Sequence, residues 1–266
     1  MGTVAILDSG VGGLSVYKEI VKKCPGHCYV FVSDNDAFPY GTKTELALIE
    51  RVQSLVERIV DEFHPDILVI ACNTASTVVL PILRDQYSFP IVGVVPAIKP
   101  AAKLSKTKKI GLLATPGTIA RQYTQSLIDQ FAGDCDVVKV GSSELVELAE
   151  SKLNGDCVSL DPIKQQLRPL LLNKNIDVVV LACTHFPLLN NEIECIFNKE
   201  DHIVSLVDSG QAIANRVSVL LEGVMPSESE ANSMAVFTEI NNSEPLAKYL
   251  SEIGLSRLGH LEVLSI

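Results

Sequence analysis

Short runs of consecutive Ile, Leu and Val recur along this chain, separated by stretches of helical periodicity. The first four runs lie at 4–7, 29–32, 67–70 and 91–94. Unbroken apolar runs this short read as strands buried on both faces. Helices are expected between them at 12–23, 43–63 and about 75–87. The clearest is 43–63, where Val52, Leu55, Val56, Ile59, Val60 and Phe63 recur at spacings of three and four. Strands alternating with helices predict an α/β fold with a parallel sheet covered on both faces.

The pattern then starts again. Strands are expected at 109–113, 136–140, 177–181 and 203–207, and helices near 118–131, 143–153, 160–173 and 210–222. A polar loop at 226–230, a strand near 236–237 and a helix near 245–253 close the chain. The restart reads as an internal duplication. Ile67-Leu68-Val69-Ile70-Ala71-Cys72-Asn73-Thr74 matches Val178-Val179-Val180-Leu181-Ala182-Cys183-Thr184-His185. Upstream, Ile6-Leu7-Asp8-Ser9-Gly10 matches Leu113-Ala114-Thr115-Pro116-Gly117, which pairs Asp8 with Thr115. Gly10 precedes Cys72 by 62 residues and Gly117 precedes Cys183 by 66, so the landmarks agree in spacing as well as in kind.

Ligands of open parallel sheets bind beyond the carboxyl ends of the strands, where Cys72 and Cys183 both fall. A helix start there offers free amides and a positive dipole end, so each thiol is expected to have a lowered pKa. Asn73, Thr74 and Thr184 can cap those helices or hold an anion. A lone buried cysteine is ordinarily packing; equivalent placement in two repeats favours chemistry. Two facing halves with a thiol on each wall suit inversion of a stereocentre, one group removing a proton and the other returning one. Asp8 ends the first strand, and the glycine-rich turn Gly10-Val11-Gly12-Gly13 is expected to let backbone amides approach a ligand. It is not a dinucleotide fingerprint, because Ser15 stands where the third glycine belongs. Phe38-Pro39-Tyr40-Gly41 reads as an irregular loop, and His185 lies close enough to Cys183 to tune it.

Composition removes several other classes. A charge of −10 argues against phosphate-backbone binding as the main role. The one basic cluster, Lys99, Lys103, Lys106, Lys108 and Lys109, reads as a solvated helix end and strand start. No apolar run approaches the ~20 residues a bilayer requires, and no basic segment precedes the first run as in a signal peptide, so a cytoplasmic location is expected. The seven cysteines form no compact framework and are expected to be free thiols. Cys24, His27 and Cys28 lack the second pair a zinc site needs. Ser15-Val16-Tyr17-Lys18 and Ser33-Asp34-Asn35 match two segments of penicillin-recognising enzymes, but the third, Lys-Thr-Gly, is absent.

Four ordered segments resemble the signatures of the bacterial glutamate racemases. They are Leu7-Asp8-Ser9-Gly10-Val11-Gly12-Gly13, Phe38-Pro39-Tyr40-Gly41, Ala71-Cys72-Asn73-Thr74-Ala75-Ser76 and Ala182-Cys183-Thr184-His185-Phe186-Pro187-Leu188-Leu189. Val207-Asp208-Ser209-Gly210 resembles the family's return to its first domain. The resemblance implies two similar Rossmann-like domains, 1–96 plus 208–266 and 97–207, related by pseudo-symmetry, with the active site in the cleft between them. It implies cofactor-independent interconversion of L- and D-glutamate for peptidoglycan, with no pyridoxal phosphate and no metal.

By the same resemblance Cys72 acts on D-glutamate and Cys183 on L-glutamate. Asp8 assists the first thiol, and His185 and Glu150 assist the second. Ser9, Tyr40, Gly41, Asn73, Thr74, Thr115, Thr118, Thr184 and His185 match substrate-contact positions. Ala182 and Glu147 depart from the commoner glycine and proline. A homodimer is implied, with glutamate as the small-molecule partner and neither nucleic acid nor membrane. Members activated by a peptidoglycan precursor often carry an N-terminal extension; this chain starts at its first strand, so such activation is not expected. The other readings are an aspartate racemase, an amino-acid-binding protein without turnover, and a hydrolase using one cysteine as nucleophile.

Overall fold

The computed structural model describes residues 2–224, 233–240 and 243–263. The polar loop expected at 226–230 lies outside them. The strands are β1 (Thr3–Asp8), β2 (Cys28–Ser33), β3 (Ile67–Ile70), β4 (Ile91–Gly93), β5 (Lys109–Ala114), β6 (Asp136–Gly141), β7 (Val178–Ala182), β8 (Ser205–Val207), β9 (Met234–Phe237) and β10 (Arg257–His260). The helices are α1 (Leu14–Lys23), α2 (Glu45–Phe63), α3 (Asn73–Gln86), α4 (Ile98–Leu104), α5 (Pro116–Ala120), α6 (Gln122–Phe131), α7 (Glu144–Leu153), α8 (Leu160–Leu171), α9 (Asn190–Lys199), α10 (Gly210–Leu220) and α11 (Glu244–Glu252).

Every strand pairing among the described residues is parallel. One sheet runs β10-β9-β2-β1-β3-β4 and the other β6-β5-β7-β8. The order β2-β1-β3-β4 is thus repeated as β6-β5-β7-β8, with β9 and β10 added to the outer edge of the first sheet. The parallel sheets need apolar cover on both faces, and their strands supply it. In β3 all four residues are buried, and in β7 all five. Each fully buried Leu or Ile contributes roughly 1.5–3 kcal/mol.

On α2 the residues Leu48, Val52, Leu55, Val56 and Ile59 are buried, while Val60 and Phe63 are half-covered at the edge of the same cluster. Thr44 caps its first turn by accepting from the Ala47 amide at 3.3 Å. His64, in the left-handed region, ends it. Ala97, Ile98, Ala101 and Ala102 pack into the core of the second sheet, whereas Ile213, Ala214 and Val217 of α10 pack with α1 on the first.

Ladder register corrects one detail of the duplication. Leu7 pairs with Ile70 and Leu113 with Leu181. Ile70 and Leu181 each stand two residues before their cysteine, so Leu7 corresponds to Leu113 and Asp8 to Ala114. The sequence match, which set Asp8 against Thr115, is one residue out of step, because it followed the glycines and the backbone ladder does not. Asp8 therefore has no acidic counterpart in the second half. The basic cluster behaves as expected: Lys99 and Lys103 lie on α4, and Lys108 and Lys109 pair with Asp134 and Asp136 at 3.0 and 2.8 Å.

Candidate functional site

The carboxyl ends of both sheets meet at one narrow pocket. Cys72 follows β3 and forms the N-cap of α3; Cys183 follows β7 and precedes a 3-10 turn at Phe186–Leu189 that leads into α9. Both sulfurs' residues line the cavity, one from each half. Ser9, Tyr40, Gly41, Asn73, Thr74, Thr115, Thr184 and His185 line it as well. Asp8, Glu150 and Thr118 stand behind this wall. Pro39, Ser143 and Val146 also line it. The last two carried no sequence signal, since the start of α7 reads as an ordinary helix terminus.

The two thiols have different surroundings. Ser9 Oγ lies 3.9 Å from Cys72 Sγ. Burial, and then the Asp8 carboxylate, push the Cys72 thiol well up, against the amide of Ala75. The lowered pKa expected from the helix start is therefore overturned here: desolvation of a fully enclosed sulfur outweighs one helix terminus. Asp8 is itself pushed up to about 6 by burial, with His185 opposing. Its Oδ2 accepts from the Gly13 amide at 2.9 Å, and Thr184 Oγ1 lies 3.3 Å from both of its oxygens.

On the other wall, burial works against a charged His185, but its hydrogen bonds to Cys183 and Glu150 prevail and hold its pKa well above the usual value. As an imidazolium it donates from both ring nitrogens. Nδ1 reaches Cys183 Sγ at 3.7 Å and Nε2 reaches Glu150 Oε1 at 2.8 Å. Positive charge thus stands beside the Cys183 sulfur, and negative charge from Asp8 beside that of Cys72.

The glycine turn serves a different end from the one its sequence suggests. Its amides hold carboxylates of this chain: Gly13 N–H binds Asp8, and Val11 N–H donates to Glu150 Oε1 at 2.7 Å. Gly10, Gly12 and Gly13 all have negative φ, so no left-handed backbone demands them. Space does. A Cβ on Gly10 would meet Glu150 Oε1, one on Gly12 the His185 ring, and one on Gly13 the Asp8 Cβ at 2.6 Å. The turn is bare because the carboxylates and the imidazole are packed onto it.

Hydroxyls knit the halves together. Thr74 Oγ1 of the first half lies 3.0 and 3.1 Å from the Thr115 and Thr118 hydroxyls of the second, and those two are 3.0 Å apart. Ser15 Oγ donates across the halves to the Thr184 carbonyl at 2.8 Å. Asn73 is buried, and its Oδ1 accepts from no donor among the described residues. Cys24, His27 and Cys28 form no metal-ligand group, and no cluster of three or more His, Cys, Asp or Glu suited to a metal occurs among the described residues. No helix there is long and apolar enough to cross a membrane.

A profile of the Asp/Glu/hydantoin racemases matches residues 5–217. A glutamate racemase of Escherichia coli K12 is 48% identical over 265 residues, covering 98% of this chain and 92% of its own. The crystal structure of the Escherichia coli glutamate racemase with L-glutamate and the activator UDP-MurNAc-Ala superimposes with a TM-score of 0.92 at 48% identity, covering 99% of each chain. Isoform RacE1 of glutamate racemase from Bacillus anthracis gives a TM-score of 0.79 at 28% identity, covering 99% of this chain and 97% of its own.

Proposed function

The chain belongs to the Asp/Glu/hydantoin racemase family, and we propose from that premise that it interconverts L- and D-glutamate with Cys72 and Cys183 as the two bases. One observation carries the mechanism: the two cysteines occupy equivalent strand ends of two repeated sheets and line one cavity. In this reading Cys183 removes the α-proton of L-glutamate, and the Cys72 thiol returns a proton to the opposite face, giving D-glutamate. The reverse reaction exchanges the roles.

The charges around the sulfurs support that assignment. His185 Nδ1 stands 3.7 Å from the Cys183 sulfur that takes the proton. Burial beside Asp8 keeps Cys72 protonated, which is the form that gives one. Asp8 then accepts the Cys72 proton when the reaction runs from the D side, and Glu150 fixes His185 in line with Cys183. The α-ammonium finds an acceptor in Asn73 Oδ1. The two carboxylates take the hydroxyls of Ser9, Thr74, Thr115 and Thr184 and the backbone at Tyr40 and Gly41, with Thr118 supporting Thr74 and Thr115. Bonds to the α-carboxylate strengthen as charge moves onto it when the α-proton leaves. No step calls for pyridoxal phosphate or a metal.

The same reading divides the chain into domains at 96/97 and 207/208, in line with the separate packing of α4 and α10. It assigns the product to peptidoglycan synthesis in the cytoplasm and the working unit to a homodimer. Polarimetry on protein dialysed against a chelator, without added cofactor, tests the reaction. Pure L- or D-glutamate is expected to reach the racemic mixture, and aspartate to stay optically active. The rate is expected to fall as the pH drops through about 6, where the Asp8 carboxylate takes up a proton. Above that pH Asp8 is ionised and able to accept from Cys72, so the loss is on the acid side. Racemisation of aspartate but not glutamate overturns the substrate assignment, and a rate flat from pH 5 to pH 7 overturns the role of Asp8.

A further inference from the structure

We propose that Thr238 and Arg51 are positioning residues for the cavity-lining loop at Tyr40 and Gly41, acting through Asp34; the inference rests on the glutamate racemase reading above. Asp34 follows β2, is fully buried and does not line the cavity. A buried carboxylate is costly unless its lone pairs are matched. Here each oxygen accepts from two donors. Oδ1 takes Arg51 Nη2 at 2.6 Å and Thr238 Oγ1 at 2.8 Å. Oδ2 takes Arg51 Nε at 2.9 Å and the Tyr40 hydroxyl at 2.5 Å.

Two separate elements therefore converge on the Asp34 carboxylate that orients Tyr40. Arg51 comes from α2 and Thr238 directly follows β9, while Asp34 itself directly follows β2. Tyr40 in turn seats Gly41 against the second half. A Cβ on Gly117 would stand 2.7 Å from the Gly41 carbonyl oxygen, and one on Gly41 would stand 3.0 Å from Thr115. A shift at Asp34 thus passes to the cavity wall shared by both halves. The β9 end does not depend on the Thr238 hydroxyl alone. Asn35 Nδ2 donates to the Glu239 carbonyl at 2.8 Å, and the Glu239 amide donates to Asn35 Oδ1 at 2.9 Å. This clasp holds the strand in place when Thr238 is changed; the hydroxyl also accepts from the Asp36 amide at 3.1 Å, so its loss loosens the same loop a second way.

The test is steady-state kinetics of Thr238→Val and Thr238→Ser with both enantiomers. A hydrogen bond to a charged group is among the stronger ones, so Thr238→Val is expected to raise KM for L- and D-glutamate about tenfold with kcat within about threefold. Thr238→Ser, which keeps the hydroxyl, is expected to return KM to within about twofold of the parent. Arg51→Lys, which loses the bidentate fork, carries the same KM expectation and stands in if Thr238→Val does not fold. A folded Thr238→Val enzyme with unchanged KM overturns the inference, as does a Thr238→Ser enzyme no better than the valine variant. A parent enzyme inactive on both enantiomers overturns the racemase reading and the inference with it.

Discussion

Replacing either Cys72 or Cys183 with alanine is expected to lower racemisation at least about 1,000-fold in both directions, the order of magnitude associated with a lost acid or base. In the proposed mechanism each direction needs one sulfur to remove a proton and the other to return one, so neither variant is expected to keep a good direction. Both side chains are small and buried, at 6% and 7% exposure, and alanine leaves only a sulfur-sized gap. The variants should therefore fold and still bind glutamate. Measured initial rates from L- and from D-glutamate check this. A variant with near-normal turnover in one direction would show that its sulfur is not a required partner there.

Gly12→Ala is expected to cost about 100-fold in kcat although Gly12 does not line the cavity, a loss comparable with that of misplacing a catalytic group by about 1 Å. The added Cβ would overlap the His185 ring at three of its atoms, Nδ1, Cε1 and Cγ, with Cγ 2.7 Å away. The ring cannot retreat without leaving Cys183 Sγ on one side or Glu150 on the other. Overpacking of this kind also costs stability, about 1–3 kcal/mol. The discriminating readout is kinetic. The loss should concentrate on proton removal from L-glutamate, where His185 serves Cys183. The check is the deuterium isotope effect with α-deuterated L- and D-substrates. Equal, unchanged isotope effects and normal kcat would show that the ring has room to spare.

The cysteine pair and the glycine turn differ in how far the sequence foreshadows them. The paired cysteines are legible because duplication repeats them on identical strand patterns, and α2 is legible because one apolar stripe runs its full length. The role of the glycine turn is not. It depends on Glu150 and His185 arriving from residues more than 130 positions away, and no local pattern carries that meeting. The expected thiol acidity at Cys72 fails for a similar reason. A helix start is visible in sequence, whereas complete burial beside Asp8 is a tertiary fact.

Elements with weak apolar patterns escape too. The edge strand β10, Arg257-Leu258-Gly259-His260, is mostly exposed and exists by pairing with β9. The polar α9 buries only Ile193, Ile196 and Phe197. The seven-residue α4 carries a proline within it. Neither β10 nor α9 is expected from periodicity, and α4 is foreshadowed only as the helix end read at Lys99 and Lys103. The Asp34 network joins residues 34, 40, 51 and 238, of which only Tyr40 belongs to a recognisable site motif.

Proton NMR in heavy water tests two-base inversion at the α-carbon. Purified protein is incubated with L-glutamate, then separately with D-glutamate, and the α-proton signal is followed alongside the enantiomer ratio. The α-proton is expected to disappear as the opposite enantiomer forms, with early product carrying deuterium and remaining substrate still protonated. Exchange of the α-proton in the substrate without inversion would contradict it, because one wall would then be removing and returning the proton alone.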